Sequence, residues 1–284
     1  MNQQNRLFSP QTLFLGVAVS SLAGSLSQAR GELSARLFLL HGFPAALALC
    51  LLSALLTEEL SDRELFSGQS ILSRLGCGVF WLWFGVELVR TAWAAQQVCQ
   101  SQFSSMAVLS ALPLLLWAGW ALPEAALDRS ARVLWGLAVL GVLFCIIGLA
   151  GQLHWQNLLP AETHRSDTSF QLPIFPEYFA LALLCPQRQW GKAVWMPLGA
   201  FFVQFAFCLG MELLFGAGQG SDLAGYELLR AWKLGALSRF DAVFLLLWLA
   251  AMLFRVCVLA KVLRLLWVRL CGQASKRPFG EVGP

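Results

Sequence analysis

The sequence predicts an all-α, polytopic membrane protein with about eight transmembrane helices. Three observations predict it. First, 58% of the 284 residues are hydrophobic and 13% are charged, against about 45–50% and about 25% in soluble domains. Second, the apolar residues gather in runs of about twenty, the length a helix needs to cross a hydrocarbon core of about 30 Å. Third, the runs lack the ten-residue alternation of barrel strands, and in lipid only helices or closed barrels satisfy every backbone hydrogen bond. The whole chain, 1–284, reads as a single integral membrane domain.

The eight runs are 10–29, 37–57, 77–98, 104–122, 133–153, 171–187, 193–216 and 240–263. The first holds a small, polar stretch, Ser20-Ser21-Leu22-Ala23-Gly24-Ser25-Leu26-Ser27, in which Gly24 relaxes the backbone and the hydroxyls can replace lost helix bonds, so a break is expected there. The second, with Gly42 and Pro44, is expected to kink. The third contains Glu87 and Arg90. The sixth is short and holds Pro173, Pro176 and Pro186, each without an N–H, so it too is expected to break. The seventh carries Glu212 and the eighth Arg255. Broken segments at positions one and six point to a transporter of inverted five-helix repeats, with half-helix ends facing a midplane substrate. The alternative is that Gly and Pro are frequent in any transmembrane helix.

With the N-terminus in the cytoplasm, Arg6, Arg63, Arg74, Arg129, Arg132, Arg188, Lys192, Lys261, Arg264, Arg269, Lys276 and Arg277 fall inside. Outside fall half as many, Arg30, Arg36, Arg165, Arg230, Lys233 and Arg239. The excess predicts both termini in the cytoplasm. No cleavable leader is expected, because Met1 to Ser9 runs into the first span without a small-residue cleavage site. The outer loops 154–170 and 217–239 are candidate ligand-gating or partner surfaces. The net charge of +4 comes without a basic run, which argues against nucleic acid. The 8 cysteines show no CxxC spacing and no cluster with histidine, so neither a metal site nor a disulfide framework is expected, and they read as small packing residues. There is no GxSxG, HExxH, P-loop or dinucleotide fingerprint; neither enzymatic chemistry nor a cofactor is expected.

The chemistry lies in the intramembrane charges. An unpaired charge at a helix centre costs about 2.5 to 3.5 kcal/mol or more, so Glu87, Arg90, Glu177, Glu212 and Arg255 each need a partner, a wet cavity or an interfacial position. Glu87 and Arg90, three apart, can pair on one face. Arg255 can pair across helices with Glu177 or Glu212, which would make the group structural. These four, Glu87, Arg90, Glu212 and Arg255, are the expected charge network. Glu177 follows Pro176 in the broken sixth run and has no basic residue nearby in sequence, which makes it the first candidate for an amine or cation contact. His41 is read as a packed helix residue, and the 12 Trp and 21 Phe as lipid-facing or interfacial.

Several stretches resemble the B subunit of bacterial spore germinant receptors, permease-like members of the amino acid, polyamine and organocation transporter superfamily. Ser238-Arg239-Phe240-Asp241-Ala242-Val243-Phe244 with Trp248 is similar to that family's Glu-Arg-Leu-(Asp/Glu)-x-x-Phe-x-x-x-Trp start of the eighth helix. Phe215-Gly216 and Leu228-Leu229-Arg230 precede it in similar order. Ser9-Pro10-Gln11 resembles the start of the first helix, Leu112-Pro113 with Arg129 the fourth helix and the lead into the fifth, and Phe175-Pro176-Glu177 the Gly-x-Glu element of the sixth. Departures are Pro123 in place of Gly, Pro176 beside the usual Gly, Ser238 in place of Glu, and Gly225-Tyr226 in place of Tyr-Pro. Eight segments stand where the family has ten, a five-plus-five inverted repeat shortened to five plus three.

The resemblance implies an inner-spore-membrane receptor subunit that binds a small nutrient, often an amino acid, and works with A- and C-type subunits to start germination. On that reading Ser21, Gly24 and Ser25 line the carboxylate side of the site, Glu177 takes the amine, and Phe175 closes it. Two other readings stand beside it: a secondary transporter for an amino acid or organic cation, and a scaffold whose ionic residues only hold helices together.

Overall fold

A computed structural model describes residues 10–28, 34–62, 71–158, 174–178, 194–216, 228 and 240–271. Every regular element among them is helical: α1 (Pro10–Gln28), α2 (Ala35–Asp62), α3 (Ile71–Phe103), α4 (Ala107–Ala121), α5 (Glu124–Leu149), two short 3-10 turns (Ala150–Gln152 and Trp155–Leu158), α6 (Met196–Phe215) and α7 (Phe240–Leu270). These seven α-helices fall on seven of the eight apolar runs. Of the sixth run only five residues, Ile174 to Tyr178, are described. The loop 217–239 lies outside the described residues apart from Leu228, as does the loop 154–170 beyond Leu158.

Stretches of α2, α3, α5, α6 and α7 are long and apolar enough to cross a membrane, while Leu15–Ser25 and Ala107–Ala121 form shorter apolar helices. The outward faces are correspondingly greasy. Along α5, Val133, Leu137, Leu140, Phe144 and Ile147 are all exposed, a surface that only lipid or another membrane helix can cover. The chain is therefore a polytopic integral membrane protein.

One expectation is overturned. α1 is a continuous helix through the serine-rich stretch. Ser21 donates its hydroxyl to the Ala18 carbonyl and Ser25 to the Ser21 carbonyl, each at 2.9 Å. These hydroxyls turn back on the preceding helical turn, as serine does inside intact membrane helices. α2 is helical on both sides of Pro44.

Helix ends follow local chemistry. Leu122 adopts an extended ψ of 137° ahead of Pro123, as pre-proline residues must, and this ends α4. Gly216 ends α6 at a φ of 88°, a conformation that costs glycine little. Between α3 and α4, Gln96 donates to the Ser105 carbonyl at 2.8 Å and accepts from the Leu109 N–H at 3.1 Å, so one amide holds the turn and an unpaired N–H of the next helix.

α7 is the hub, packed on α3, α4, α1 and α5; α1 in turn joins this group to α6, and α6 packs on α2. α3 and α7 run antiparallel, with Trp81 near the start of one against Trp267 near the end of the other at 5.7 Å. At Gly119 the α4 backbone comes so close to α7 that a Cβ would lie 2.6 Å from the Cys257 carbonyl oxygen, so no larger residue fits this crossing. Lys261 and Arg264 donate to the Leu122 and Trp120 carbonyls, placing cations on the exposed carbonyls at the end of α4.

Candidate functional site

The polar centre of the molecule forms where α1, α3, α7 and the turn after Pro176 meet. Arg255 sits midway along α7 and is 1% exposed, and Glu177 is 0% exposed. The guanidinium and carboxylate meet side on: Nε donates to Oε1 at 2.6 Å and Nη2 to Oε2 at 3.2 Å. This is the two-pronged geometry that makes arginine–carboxylate pairs both strong and directional. Nη2 also donates to Glu87 Oε2 at 3.3 Å, and Nη1 donates to the Thr91 hydroxyl at 3.0 Å.

Each neighbour is placed by its helix. Glu87 and Thr91 are four apart on α3 and share a face, and Thr91 itself donates to the Glu87 carbonyl at 2.7 Å. Ser20 on α1 donates to Glu177 Oε1 at 2.9 Å. The Phe175 ring centroid lies 5.3 Å from the Arg255 guanidinium carbon, within cation–π range. Gly24 closes the α1 side; a Cβ there would lie 2.6 Å from the same carbon. Glycine lets the guanidinium lie against the backbone of α1.

On its other oxygen, Glu87 accepts from Arg90 Nη1 at 3.2 Å. Two carboxylates thus alternate with two guanidiniums, in the order Arg90, Glu87, Arg255, Glu177, and their formal charges balance. A buried ion pair needs hydrogen bonds beyond its own, and here Ser20 and Thr91 supply them. Among the described residues the single buried side-chain polar atom without a hydrogen-bond partner is Asp128 Oδ1, outside this cluster.

The sequence-derived candidates therefore separate. Gly24, Phe175, Glu177, Glu87, Arg90 and Arg255 come together. Ser21 and Ser25 lie on the adjoining turns of α1 with their hydroxyls bonded within the helix, and the Ser25 carbonyl accepts from Gln204 of α6 at 3.3 Å. Glu212 stands apart from the network: its Oε2 accepts the Ala35 N–H at 2.6 Å, so it caps the start of α2, where a negative charge meets the positive end of the helix dipole. The sequence reading missed Ser20 and Thr91. Thr91 was signalled by its spacing of four from Glu87, and Ser20 by its place one turn before Gly24.

No group of three or more potential metal ligands occurs among the described residues. Comparison with protein-family models, with curated proteins and with solved structures gives no match.

Proposed function

We propose that this chain is a permease-like membrane subunit that binds a zwitterionic nutrient, an amino acid, at the Glu177–Arg255 pair, and that it acts as the B-type subunit of a spore germinant receptor. The observation that carries the binding reading is the bidentate Glu177–Arg255 pair buried midway along α7. A simple amine inserted there would leave Arg255 with Glu87 as its one carboxylate, and a simple carboxylate would leave Glu177 with the Ser20 hydroxyl; either adds one charge to a balanced buried cluster, and an uncompensated buried charge costs about 3–5 kcal/mol. A zwitterion gives its ammonium to Glu177 and its carboxylate to Arg255. Neither charge is then left alone, and Phe175 and Gly24 lie against the guanidinium.

This places the carboxylate on Arg255 rather than on an α1 half-helix, in keeping with the unbroken α1. The packing also supports a five-helix repeat. Segments five apart in order touch: the first and sixth through Ser20 and Glu177, the second and seventh as α2 and α6, the third and eighth as α3 and α7. A pseudo-two-fold relation between a first five and a second three pairs these segments in the same way. The receptor role, the A- and C-type partners, the inner spore membrane and cytoplasmic termini rest on the resemblance of the Arg239 to Trp248 stretch and on the distribution of Lys and Arg.

The test is germination of spores lacking this gene, scored against a panel of amino acids and sugars, beside complemented and Glu177→Gln strains. Loss of the response to one nutrient, restored by the wild-type gene and not by Glu177→Gln, is expected. A normal response to every nutrient would overturn the receptor role. The alternative, secondary transport with an intramembrane carboxylate coupling to protons, predicts uptake of labelled amino acid by proteoliposomes holding this chain alone.

A further inference from the structure

Arg90 combines mid-membrane depth with exposure. Its side chain is 69% exposed although it pairs with Glu87. Depth follows from that pairing: the second oxygen of Glu87 accepts from Arg255, so the two guanidiniums flank one carboxylate at one level. Arg255 lies in the middle of the Ala242–Leu270 span, with about 20 Å of helix on either side at about 1.5 Å per residue. Lipid headgroups do not reach that level, and hydrocarbon offers a guanidinium nothing. Among the described residues one of its five N–H groups is used, toward Glu87.

The surface around it has the form of a helix-packing seam. Leu82, Val86, Val89 and Trp93 are all exposed and follow the alternating four-and-three spacing along which a second helix lies. α5 exposes an equally apolar face, but without a charge at its centre. Lipid suffices for α5 and does not suffice for α3.

We infer that the α3 face around Arg90 is covered by a transmembrane helix of a different chain, which brings an Asp or Glu to Arg90. Charge decides the occupant. A second copy docked across a two-fold at this face would set its own Arg90 against this one, whereas a partner carboxylate uses the remaining N–H groups and compensates the charge.

The experiment places a photo-crosslinking residue at Val86 or Trp93 of the full chain in its native membranes, with Arg90 intact and Val142 on α5 as the lipid-facing control. Adducts to one other chain are expected from Val86 and Trp93 and not from Val142, with the linked peptide in a membrane helix within one turn of an Asp or Glu. Arg90→Glu is expected to cut adduct yield about tenfold, a change that corresponds to about 1.4 kcal/mol, and reversing the partner's carboxylate to Lys to restore it. Adducts to lipid alone, adducts between two copies, or a linked helix without an acidic residue would each overturn the inference; these outcomes are read with Arg90 unchanged and do not depend on the variant folding.

Discussion

Glu177 and Glu212 are both buried glutamates in membrane-embedded segments, and the fold uses them in opposite ways. Glu177 meets a guanidinium at the middle of α7, across 78 residues of chain, and is held there by Ser20 as well. Glu212 meets a backbone N–H at the first residue of α2 and leaves the packing of α2 on α6 to apolar contact, such as the Phe38 and Phe201 rings stacked 5.5 Å apart. The difference is one of depth. At a helix end a carboxylate finds unpaired N–H groups and a favourable dipole. Opposite the middle of α7 the backbone groups of that helix are already used, and the Glu177 carboxylate is compensated by another charge and a side-chain donor. Both carboxylates reach distant segments, Glu177 across 78 residues and Glu212 across 177; the central one is balanced by a charge, while the terminal one caps the start of a neighbouring helix.

The largest expected effect is at the centre. Arg255→Met strands the buried carboxylate of Glu177 and leaves Glu87 to Arg90 alone, and should lower stability by about 3–5 kcal/mol, measured by unfolding in lipid nanodiscs. Adding Glu177→Met should recover most of that loss, since a buried pair replaced by apolar side chains is close to neutral; a double variant as unstable as the single one would show that the pair is not the source. Next comes Gly24→Ala. In a plain helix this exchange stabilises by about 1 kcal/mol, but here the new Cβ meets the Arg255 guanidinium at 2.6 Å, so overpacking should reverse the sign and cost about 1–3 kcal/mol. The smallest is Glu212→Gln, which keeps an oxygen for the Ala35 N–H and loses the charge at the helix end, about 0.3–1 kcal/mol. A Glu212→Gln loss as large as that of Arg255→Met would erase the distinction between the two regions.

Much of this was legible in the sequence, for identifiable reasons. Uniform apolar runs fixed the positions of seven helices to within a few residues at most of their ends, because hydrocarbon tolerates little else. The cost of intramembrane charge marked Glu87, Arg90, Glu177 and Arg255 as residues in need of partners, and the pairing of Arg255 with Glu177 was one of two options the residues allowed. The choice between Glu177 and Glu212 was not legible, because it depends on depth along α6 and on where α2 begins. The break expected in α1 failed for another reason. Gly24 and its serines read as a weak point, whereas Gly24 makes room for a guanidinium and the serines bond back to an intact helix. Small residues in a membrane helix signal close approach as readily as rupture.

The central claim is that a zwitterion fits where a single charge does not. The most direct measurement is the unfolding temperature of the purified chain in nanodiscs against a panel of amino acids, each compared with its decarboxylated amine and its deaminated acid. At a ligand concentration of about 100 times Kd, binding should stabilise the fold by about 2.7 kcal/mol. The account predicts that at least one amino acid raises the unfolding temperature, that its amine and acid analogues do not, and that Glu177→Gln abolishes the shift. Equal shifts from the amine or the acid, or no shift from any amino acid, would contradict it.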